Sequence, residues 1–466
     1  MLGLFNTLQL GARALQANQL GVEVTGQNLA NSSNAAYSRQ RVMLSTSLPT
    51  PTGLGMQGTG VQVTSIQQIR DAMLDGEMRD ESSVSGYWNS QQSSLENAQT
   101  QLGEFLNINS TSGSSTSGLS DQLNNLFNSF QSVATDPTSI PQREDLVNQA
   151  ETLASGLNQA SQQFSTLNSS LNTSVSNNVT AANQLLSQIA ALNGQIAKAT
   201  AAGGNANDLN DTREQDLENL SNLVNIQTTT NTNGTVDVSV GGAQLVSGGQ
   251  TLDTLQAYDP GSGQLLVRTA TGGTPLTLTG GAIQGTIDAR DGALQTLRSG
   301  LDTIASSLIT QVNGVYSAGY DLNGGTGQPL FTGTDAGTIG VNSALQTDPS
   351  LVQAAGAAGA SGDNSVALQL AQLGQQSLSG LGNQTFSGAF ASQVGTFGFA
   401  LSNANAQADN ASSVTGMLQN QRDSVSGVSI EEEVANLITF QQAYTASSKI
   451  ITTVDQMLQT VMSLKT

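Results

Sequence analysis

The sequence predicts a mainly α-helical fold with an inserted β-rich domain, and three observations support this prediction. Both chain ends carry a helical seam, helical patterns fill most of the middle, and the repeat shortens to two residues over a central stretch. At 466 residues the chain exceeds the usual size of one domain. We therefore expect terminal helices forming a coiled-coil core, a long helical rod domain and a small outer β domain.

Each end of the chain has a seam of mainly apolar residues, with some small or polar ones, spaced alternately by three and four. Near the N-terminus these are Leu4, Leu8, Gly11, Leu15, Asn18, Val22, Thr25 and Leu29. Near the C-terminus they are Leu437, Phe440, Tyr444, Ser447, Ile451, Val454, Leu458 and Val461. Neither seam is apolar enough to hold a lone helix in water, so each end needs a partner, and we expect the ends to meet.

The middle of the chain opens with a helical block over 82–225, interrupted by a Ser/Gly/Thr-rich stretch at 109–118. Its longest helix is predicted to begin near Pro141 and to stop at Gly203-Gly204, a span of roughly 90 Å at 1.5 Å per residue. A shorter helix, 208–223, closes the block. This length indicates a rod-like domain.

The repeat then changes to two residues at 235–240 and 264–269, and pairs of glycines between these segments indicate tight turns. Helix is expected again over 291–317, then a loop-rich stretch at 319–365, then a seam from Phe390 to Leu418. We therefore predict three domains: a terminal core of 1–81 and 425–466, a rod of 82–225 and 289–424, and an outer β-rich domain of 226–288.

Composition excludes several kinds of chemistry. The chain has no His and no Cys, so His bases, Cys nucleophiles, disulfides and His/Cys zinc sites are impossible. The formal net charge of −20 opposes binding to nucleic acid or to anionic membrane surfaces. We also see no secretory leader pattern and no membrane-spanning stretch. No enzyme activity, cofactor, metal, nucleic-acid partner or membrane partner is expected.

Three short motifs have ordinary structural explanations. The string Gly53-Leu-Gly-Met-Gln-Gly58 matches a dinucleotide-binding pattern, but a strand follows it instead of the required helix. Asp321-Leu-Asn-Gly-Gly325 lacks the closing Glu of a calcium loop and is interpreted as a turn. Ser429-Ile-Glu-Glu432 is a capping box, so the acidic residues 431–433 indicate a helix start and not a metal site.

The segment after the first helix carries a more specific pattern: Asn28, Leu29, Ala30 and Asn31, then Tyr37, Arg39 and Gln40. With 424–438 and 441–444 near the other end, and 208–216 in the middle, it resembles the family of flagellar rod, hook and hook-associated proteins. Asn34 and Ala36 stand where that family commonly has Thr and Gly. Of its members, the hook-associated proteins fit best, since hook proteins are mostly β between their ends and flagellins lack this N-terminal pattern.

The resemblance implies a structural component of the bacterial flagellum that joins hook to filament by packing of its terminal helices. Implied partners are further copies of itself in a ring, the hook protein, a second hook–filament junction protein, and a cytoplasmic export chaperone at the C-terminal region. It also implies an extracellular location after type III export without a cleaved signal peptide. Open alternatives are another flagellar axial protein, a non-flagellar surface adhesin and a filament protein with an enzymatic insertion.

Overall fold

The computed structural model describes residues 2–52, 55–106 and 118–464, so most of the predicted 109–118 interruption lies outside the described residues. The first half of the chain forms α1 (Leu2–Ala30), β1 (Gln40–Thr46), β2 (Thr50–Thr52), β3 (Gly55–Gln57), β4 (Val61–Gln68), α2 (Ala72–Leu106), α3 (Leu119–Thr135), α4 (Ile140–Ala201) and α5 (Asn207–Leu223). The mainly helical class predicted from the sequence is confirmed.

The second half begins with short strands and returns to helix. Its elements are β5 (Ile226–Thr230), β6 (Val236–Val240), β7 (Ala243–Ser247), β8 (Gln250–Thr251), β9 (Leu255–Tyr258), β10 (Leu266–Thr269), α6 (Gly281–Asp288), α7 (Gln295–Tyr316), β11 (Phe331–Thr332), β12 (Gly340–Val341), α8 (Ser343–Thr347), α9 (Ser365–Leu373), α10 (Phe386–Ser426) and α11 (Ile430–Ser463). A π-helical segment, Ala289–Leu294, joins α6 to α7, and short 3-10 turns lie at Pro349–Leu351 and Ser379–Leu381. No helix within the described ranges combines the length and the apolarity needed to cross a membrane.

All the sheets are antiparallel and small. Strands β5 to β8 form a four-stranded sheet in chain order, and β9 pairs with β10. Near the N-terminus, β1 pairs with β4 and β2 with β3, which makes one long hairpin over 40–68. We call this element the terminal hairpin.

Helix α4 is the long helix that the sequence predicts, with 62 residues. Ser139 precedes it and Pro141 lies in its first turn, where a missing N–H costs nothing. It ends just before Gly203, whose φ of +79° is a conformation that favours glycine. The predicted seam is buried along its whole length, namely Leu146, Leu153, Leu157, Ala160, Phe164, Leu167, Leu171, Ala182, Leu186, Ile189 and Ile196.

Two apolar cores share α4 between them. The first half of the helix packs with α3, α7, α9 and the start of α10, in a core that includes Phe130, Leu157, Leu308 and Phe386. The second half packs with α5, α6 and strands β5 to β10, in a core that includes Leu186, Val238, Leu245 and Ile283. The seam predicted from Phe390 to Leu418 lines α10, with both of these residues buried.

The sequence predicts that the β-rich domain lies outermost, beyond the end of the long helices. In the structure the strands lie instead beside the second half of α4, where three asparagines of that helix bind strand or loop backbone. The segment at the opposite end of α4 is instead the loop-rich stretch. There the buried Arg143 donates to the carbonyl oxygens of Pro137 and Val352.

Some predicted boundaries are also displaced. Helix α2 begins at Ala72 and not at 82, because the Asp71 carboxylate accepts a hydrogen bond from the Met73 amide at 3.0 Å. The domain boundaries placed at 81/82 and 424/425 therefore fall inside α2 and α10. Helix also resumes at Gly281, within the stretch expected to be β-rich up to 288.

Candidate functional site

The two terminal helices pack against each other in opposite directions. A Cβ built on Gly11 would lie 3.0 Å from Ile451, and one built on Gly21 would lie 2.6 Å from the ring of Phe440. Between these points, the Asn18 side-chain amide reaches the Ser447 hydroxyl at 3.4 Å. Residues of increasing number in α1 therefore contact residues of decreasing number in α11, so the two helices are antiparallel.

The predicted seam residues mostly face this contact, but they are not fully covered by it. In α11, Ser447 and Val454 are buried and Tyr444 and Val461 are exposed; the half-buried members are Leu437, Phe440, Ile451 and Leu458. In α1, Gly11 and Thr25 are buried and the other seam residues are half-buried. Gly21, which admits the Phe440 ring, was not among the predicted residues.

Asn28 is buried near the end of α1 and hydrogen-bonds Gln40, Tyr37 and Glu433. Its amide nitrogen donates to the Gln40 carbonyl at 2.8 Å and to the Glu433 carboxylate at 2.9 Å. Its amide oxygen accepts from the Tyr37 hydroxyl at 2.8 Å and from the Gln40 amide at 3.0 Å. Burial, with the nearby Asp208, Asp211 and Glu433, raises the pKa of the Tyr37 hydroxyl, which therefore stays protonated and able to donate.

Glu433 links Asn28 to the first turn of α11. It is only 2% exposed, and Arg39 donates to its carboxylate at 2.8 Å and to that of Glu432 at 2.7 Å. Ser429 precedes the helix, and its hydroxyl accepts from the Glu432 amide at 3.5 Å. The acidic residues thus begin a helix, as the sequence indicates, but the buried ion pair of Glu433 was missed.

The start of α5 completes the arrangement. The Gln40 side chain donates to Asp208 at 2.9 Å, and the Ser38 backbone amide donates to Asp211 at 3.2 Å. The three segments that carry the sequence resemblance, from both chain ends and from the middle, therefore converge. We call this group the signature cluster; it consists of Asn28, Tyr37, Arg39, Gln40, Asp208 and Glu433.

The remaining predicted signature residues have structural positions. Leu29 is half-buried and Ala30 is exposed at the last turn of α1. Asn31 follows, and its side-chain amide donates to the Gln27 carbonyl at 2.9 Å. In the next turn the Asn34 side chain accepts from the Ala36 amide at 3.2 Å. These contacts end the helix and direct the chain toward the signature cluster.

Further along α5, acidic side chains pair with Arg70, which lies just before α2, and with arginines of α2 and α10. Arg70 contacts Asp75 at 3.1 Å and Asp211 at 3.5 Å, while Glu214 pairs with Arg79 and Glu218 with Arg422. Burial raises the pKa of Asp211, against the lowering effect of Ser38 and Arg70. Since both arginine-bearing helices adjoin a terminal segment, these pairs fix where the terminal helices leave the rest of the chain.

Within the ranges that the structure describes, no group of three or more Asp or Glu side chains is placed to hold a metal ion. In the glycine-rich string, Gly55 starts the short strand β3, while 53 and 54 lie outside the described residues. The Asp321 carboxylate accepts from the amides of Asn323 and Gly325, which makes it a turn.

Two family models match the chain. One, the helical domain of the flagellar hook-associated protein FlgK, matches residues 105–331. The other, the C-terminal region of the flagellar basal body rod proteins FlgEFG, matches residues 413–464. The first covers helices α3 to α7 and strands β5 to β10, and the second covers the end of α10 and all of α11.

Whole-chain comparisons point in the same direction. The chain is 28% identical over 511 residues to flagellar hook-associated protein 1 of Bacillus subtilis, covering 99% of both chains. It is 23% identical over 560 residues to the protein of that name from Escherichia coli, covering all of both. The fold resembles the flagellar hook junction protein FlgK of Burkholderia pseudomallei, with a TM-score of 0.63 and 19% identity over 75% of this chain and 100% of that one.

Proposed function

We propose that this chain, which belongs to the family of flagellar hook-associated protein 1, is a structural subunit of the bacterial flagellum that joins the hook to the filament. The observation that carries the proposal is its similarity, over 99% of both chains, to a relative of that name. The family is structural, and we assign no reaction to the chain.

In the proposed mechanism, the paired terminal helices form the core through which subunits assemble. Their seam leaves Leu458 half-buried and Val461 exposed within one chain. Burying such residues contributes about 25 cal/mol per Å², and that free energy becomes available when subunits pack together. A coiled-coil arrangement of terminal helices from several copies would use it.

We also propose that three regions of the chain have different structural roles. The terminal helices and the terminal hairpin form the assembly core, the long helices form the rod, and strands β5 to β10 form a surface flanking the rod. The two apolar cores, one at each half of α4, support treating the strands and the far end of the rod as separate regions.

The proposed partners follow from the family. They are further copies of this chain, the hook protein, a second hook–filament junction protein and a cytoplasmic export chaperone acting on the C-terminal region. The proposed location is the extracellular flagellum, reached by type III export without a cleaved signal peptide. Export is tested by looking for the uncleaved protein in the medium of cells with and without the flagellar export apparatus.

The function is tested by deleting the gene and examining the cells by negative-stain electron microscopy. We expect hooks that carry no filaments, with unassembled filament protein released into the medium. Expression of the full chain from a plasmid should restore filaments. Deleted cells with filaments of normal number and length would contradict the proposal.

A further inference from the structure

The dipeptide Asn-Gly recurs in this chain, and it is chemically labile because asparagine is among the thermolabile residues. The glycine backbone nitrogen can attack the side-chain amide carbon of the asparagine, since glycine has no Cβ to obstruct the approach. The pairs are Asn193-Gly194, Asn233-Gly234, Asn313-Gly314 and Asn323-Gly324. The fold places the same dipeptide in different surroundings, and these surroundings determine where the attack can occur.

Two of the pairs are held inside helices by both backbone and side chain. Gly194 lies within α4 and Gly314 within α7, so their amides take part in helical hydrogen bonding. The Asn193 side chain is completely buried, and the Asn313 side-chain amide donates to the Phe331 carbonyl at 2.7 Å. Attack at either pair requires the helix to open and the side chain to be released, so both pairs are protected.

The pair Asn233-Gly234 lies in the turn between β5 and β6, where neighbouring groups hold it in place. The Asn233 side-chain oxygen accepts from the Thr235 amide at 3.1 Å and from the Thr235 hydroxyl at 2.7 Å. A Cβ built on Gly234 would lie 3.3 Å from Ile196, and the Gly234 carbonyl accepts from Arg213 at 2.6 Å. This turn therefore has little room to rearrange.

The pair Asn323-Gly324 is the least restrained. Asn323 is exposed, and its side chain makes one hydrogen bond among the described residues, a donation to the Ser350 hydroxyl at 3.3 Å. Nothing lies within 4 Å of a Cβ built on Gly324, whose φ is +82°. The Gly324 amide donates to the Asp321 carbonyl at 3.2 Å, and this bond must open before the nitrogen attacks. The amide carbon of Asn323 is thus accessible, and the backbone beside it has room to turn.

We propose that Asn323 is a site of spontaneous deamidation and that it reacts before the other Asn-Gly pairs. The Gly324 nitrogen loses its proton to solvent and attacks Asn323 Cγ; the new N–Cγ bond replaces the Cγ–Nδ2 bond, and Nδ2 takes up a proton and leaves as ammonia. The product is a cyclic succinimide. Water then opens the ring, at Cγ to give aspartate or at the main-chain carbonyl carbon to give isoaspartate. The net change is the addition of water and the loss of ammonia.

Either product adds a second carboxylate to the turn. The Asp321 carboxylate already accepts from the Asn323 amide at 2.7 Å and from the Gly325 amide at 2.8 Å. Aspartate keeps the backbone and adds only charge, whereas isoaspartate inserts a methylene into the main chain and displaces the amide that follows. The inference does not depend on the proposed function, because it uses only the chemistry and the surroundings of this turn.

The test compares the folded and the unfolded full-length chain. Both are incubated at mildly alkaline pH, the second in guanidinium chloride, and are digested under mildly acidic conditions, where the reaction is slow. Peptide mass spectrometry follows the conversion of amide to acid at each pair. In the folded chain we expect Asn323 to react faster than Asn233, and at least about tenfold faster than Asn193 and Asn313, which require helix opening. In guanidinium chloride the rates should converge, because the dipeptide is the same.

Asn323→Gln is the matched variant, because its longer side chain would have to close a larger ring. Labelling by an isoaspartyl methyltransferase should rise with age in the folded wild-type chain and stay low in this variant. Equal labelling of the two proteins would overturn the inference, as would a rate at Asn323 no higher than at Asn233 or at the helical pairs. A lead of Asn323 that persists in guanidinium chloride would also overturn it, since the fold would not be the cause.

Discussion

At Asn28, one side-chain amide closes the contact between the N-terminal turn and the C-terminal helix. It hydrogen-bonds Gln40 and Tyr37 in the segment that follows α1, and Glu433 in α11. The amide supplies both a donor and an acceptor from one buried position, which neither a carboxylate nor an aliphatic side chain can do. This explains why asparagine stands at the end of α1.

The first prediction concerns Glu433. Replacing it with Gln removes a buried negative charge and leaves Arg39 with only the exposed Glu432. We expect the pairing of α1 with α11 to lose about 2 kcal/mol, the cost of a charge-assisted hydrogen bond. Hydrogen exchange of the first turns of α11 measures this loss. Exposed Glu431→Gln is the matched control, and equal effects of the two changes would contradict the role given to Glu433.

The second prediction concerns pH. Backbone amides of Thr271, Thr254 and Gly272 bind the Asp253 carboxylate and lower its pKa to about 2. Because the pKa is lower in the folded state, the stabilisation is present above the unfolded value of about 3.9 and is lost as pH falls toward 2.

Asp253→Asn should therefore lower the melting temperature at pH 7 and have little effect near pH 2. Circular dichroism melts of both proteins across this range provide the measurement. A melting-temperature difference that stays constant from pH 7 to pH 2 would show that the carboxylate charge does not matter.

For individual residues, the sequence indicates one partner of each contact and not the other. Asn28, Tyr37, Arg39 and Gln40 were identified through family resemblance, but their partners were not. In the sequence, Glu433 is interpreted only as one of the acidic residues at a helix start. Its burial depends on packing between segments about 400 residues apart, and no local pattern reports such packing.

Among the elements, the pairing of α1 with α11 depends on small residues that let the helices approach. The third prediction is that Gly21→Val disrupts the pair, because a Cβ there would lie 2.6 Å from the Phe440 ring. Gly26→Ala is the control: nothing lies within 4 Å of its Cβ, and the change should stabilise the helix by about 1 kcal/mol. Hydrogen exchange over α1 and α11 should show opposite changes for the two variants, and equal protection would contradict this packing.

Helix α4 holds the β strands through asparagines spaced about three turns apart. Asn183 pairs with both the amide and the carbonyl of Leu255, each at 2.8 Å, as a neighbouring strand would. Asn193 does the same with Val236, at 3.0 and 2.7 Å, and also accepts from Arg213. Asn172 accepts from the Leu265 amide at 3.1 Å.

The fourth prediction follows from this arrangement. Asn193→Leu leaves the backbone groups of Val236 and the Arg213 side chain without that partner, so we expect a loss of about 3 kcal/mol in the free energy of unfolding. Exposed Asn177→Leu, on the same helix, should change it by less than about 0.5 kcal/mol. Urea denaturation measures both values, and similar losses would contradict the pairing role.

The bounds of α4 were predictable because Pro141 and the glycines after Ala201 mark its ends. The start of α2 was missed because its first turns carry polar residues and only a short apolar pattern. The position of the strands was also missed. An asparagine on a helix reads as a solvated residue, and only the fold shows that it replaces a strand neighbour.

On the scale of the whole molecule, the terminal helices and the rod meet through polar contacts. The signature cluster connects α1 and α11 to the start of α5, and the arginine pairs then connect α5 to α2 and α10. Near that end, the small apolar group described between α2 and α10 is Leu74, Met78 and Leu418. Such an interface fixes direction without burying much apolar area. The chain is therefore suited to hold its terminal helices at a defined angle to the rod.

The central claim is that the terminal seam joins subunits, and one measurement tests it most directly. Leu458→Asp places a charge on that seam, whereas Gln459→Asp places one on the exposed side of the same helix. Each variant is expressed in the deletion strain, its secretion into the medium is verified, and filament-bearing hooks are counted by electron microscopy. We predict that secreted Leu458→Asp gives bare hooks while Gln459→Asp gives filaments; normal filaments with Leu458→Asp would contradict the account.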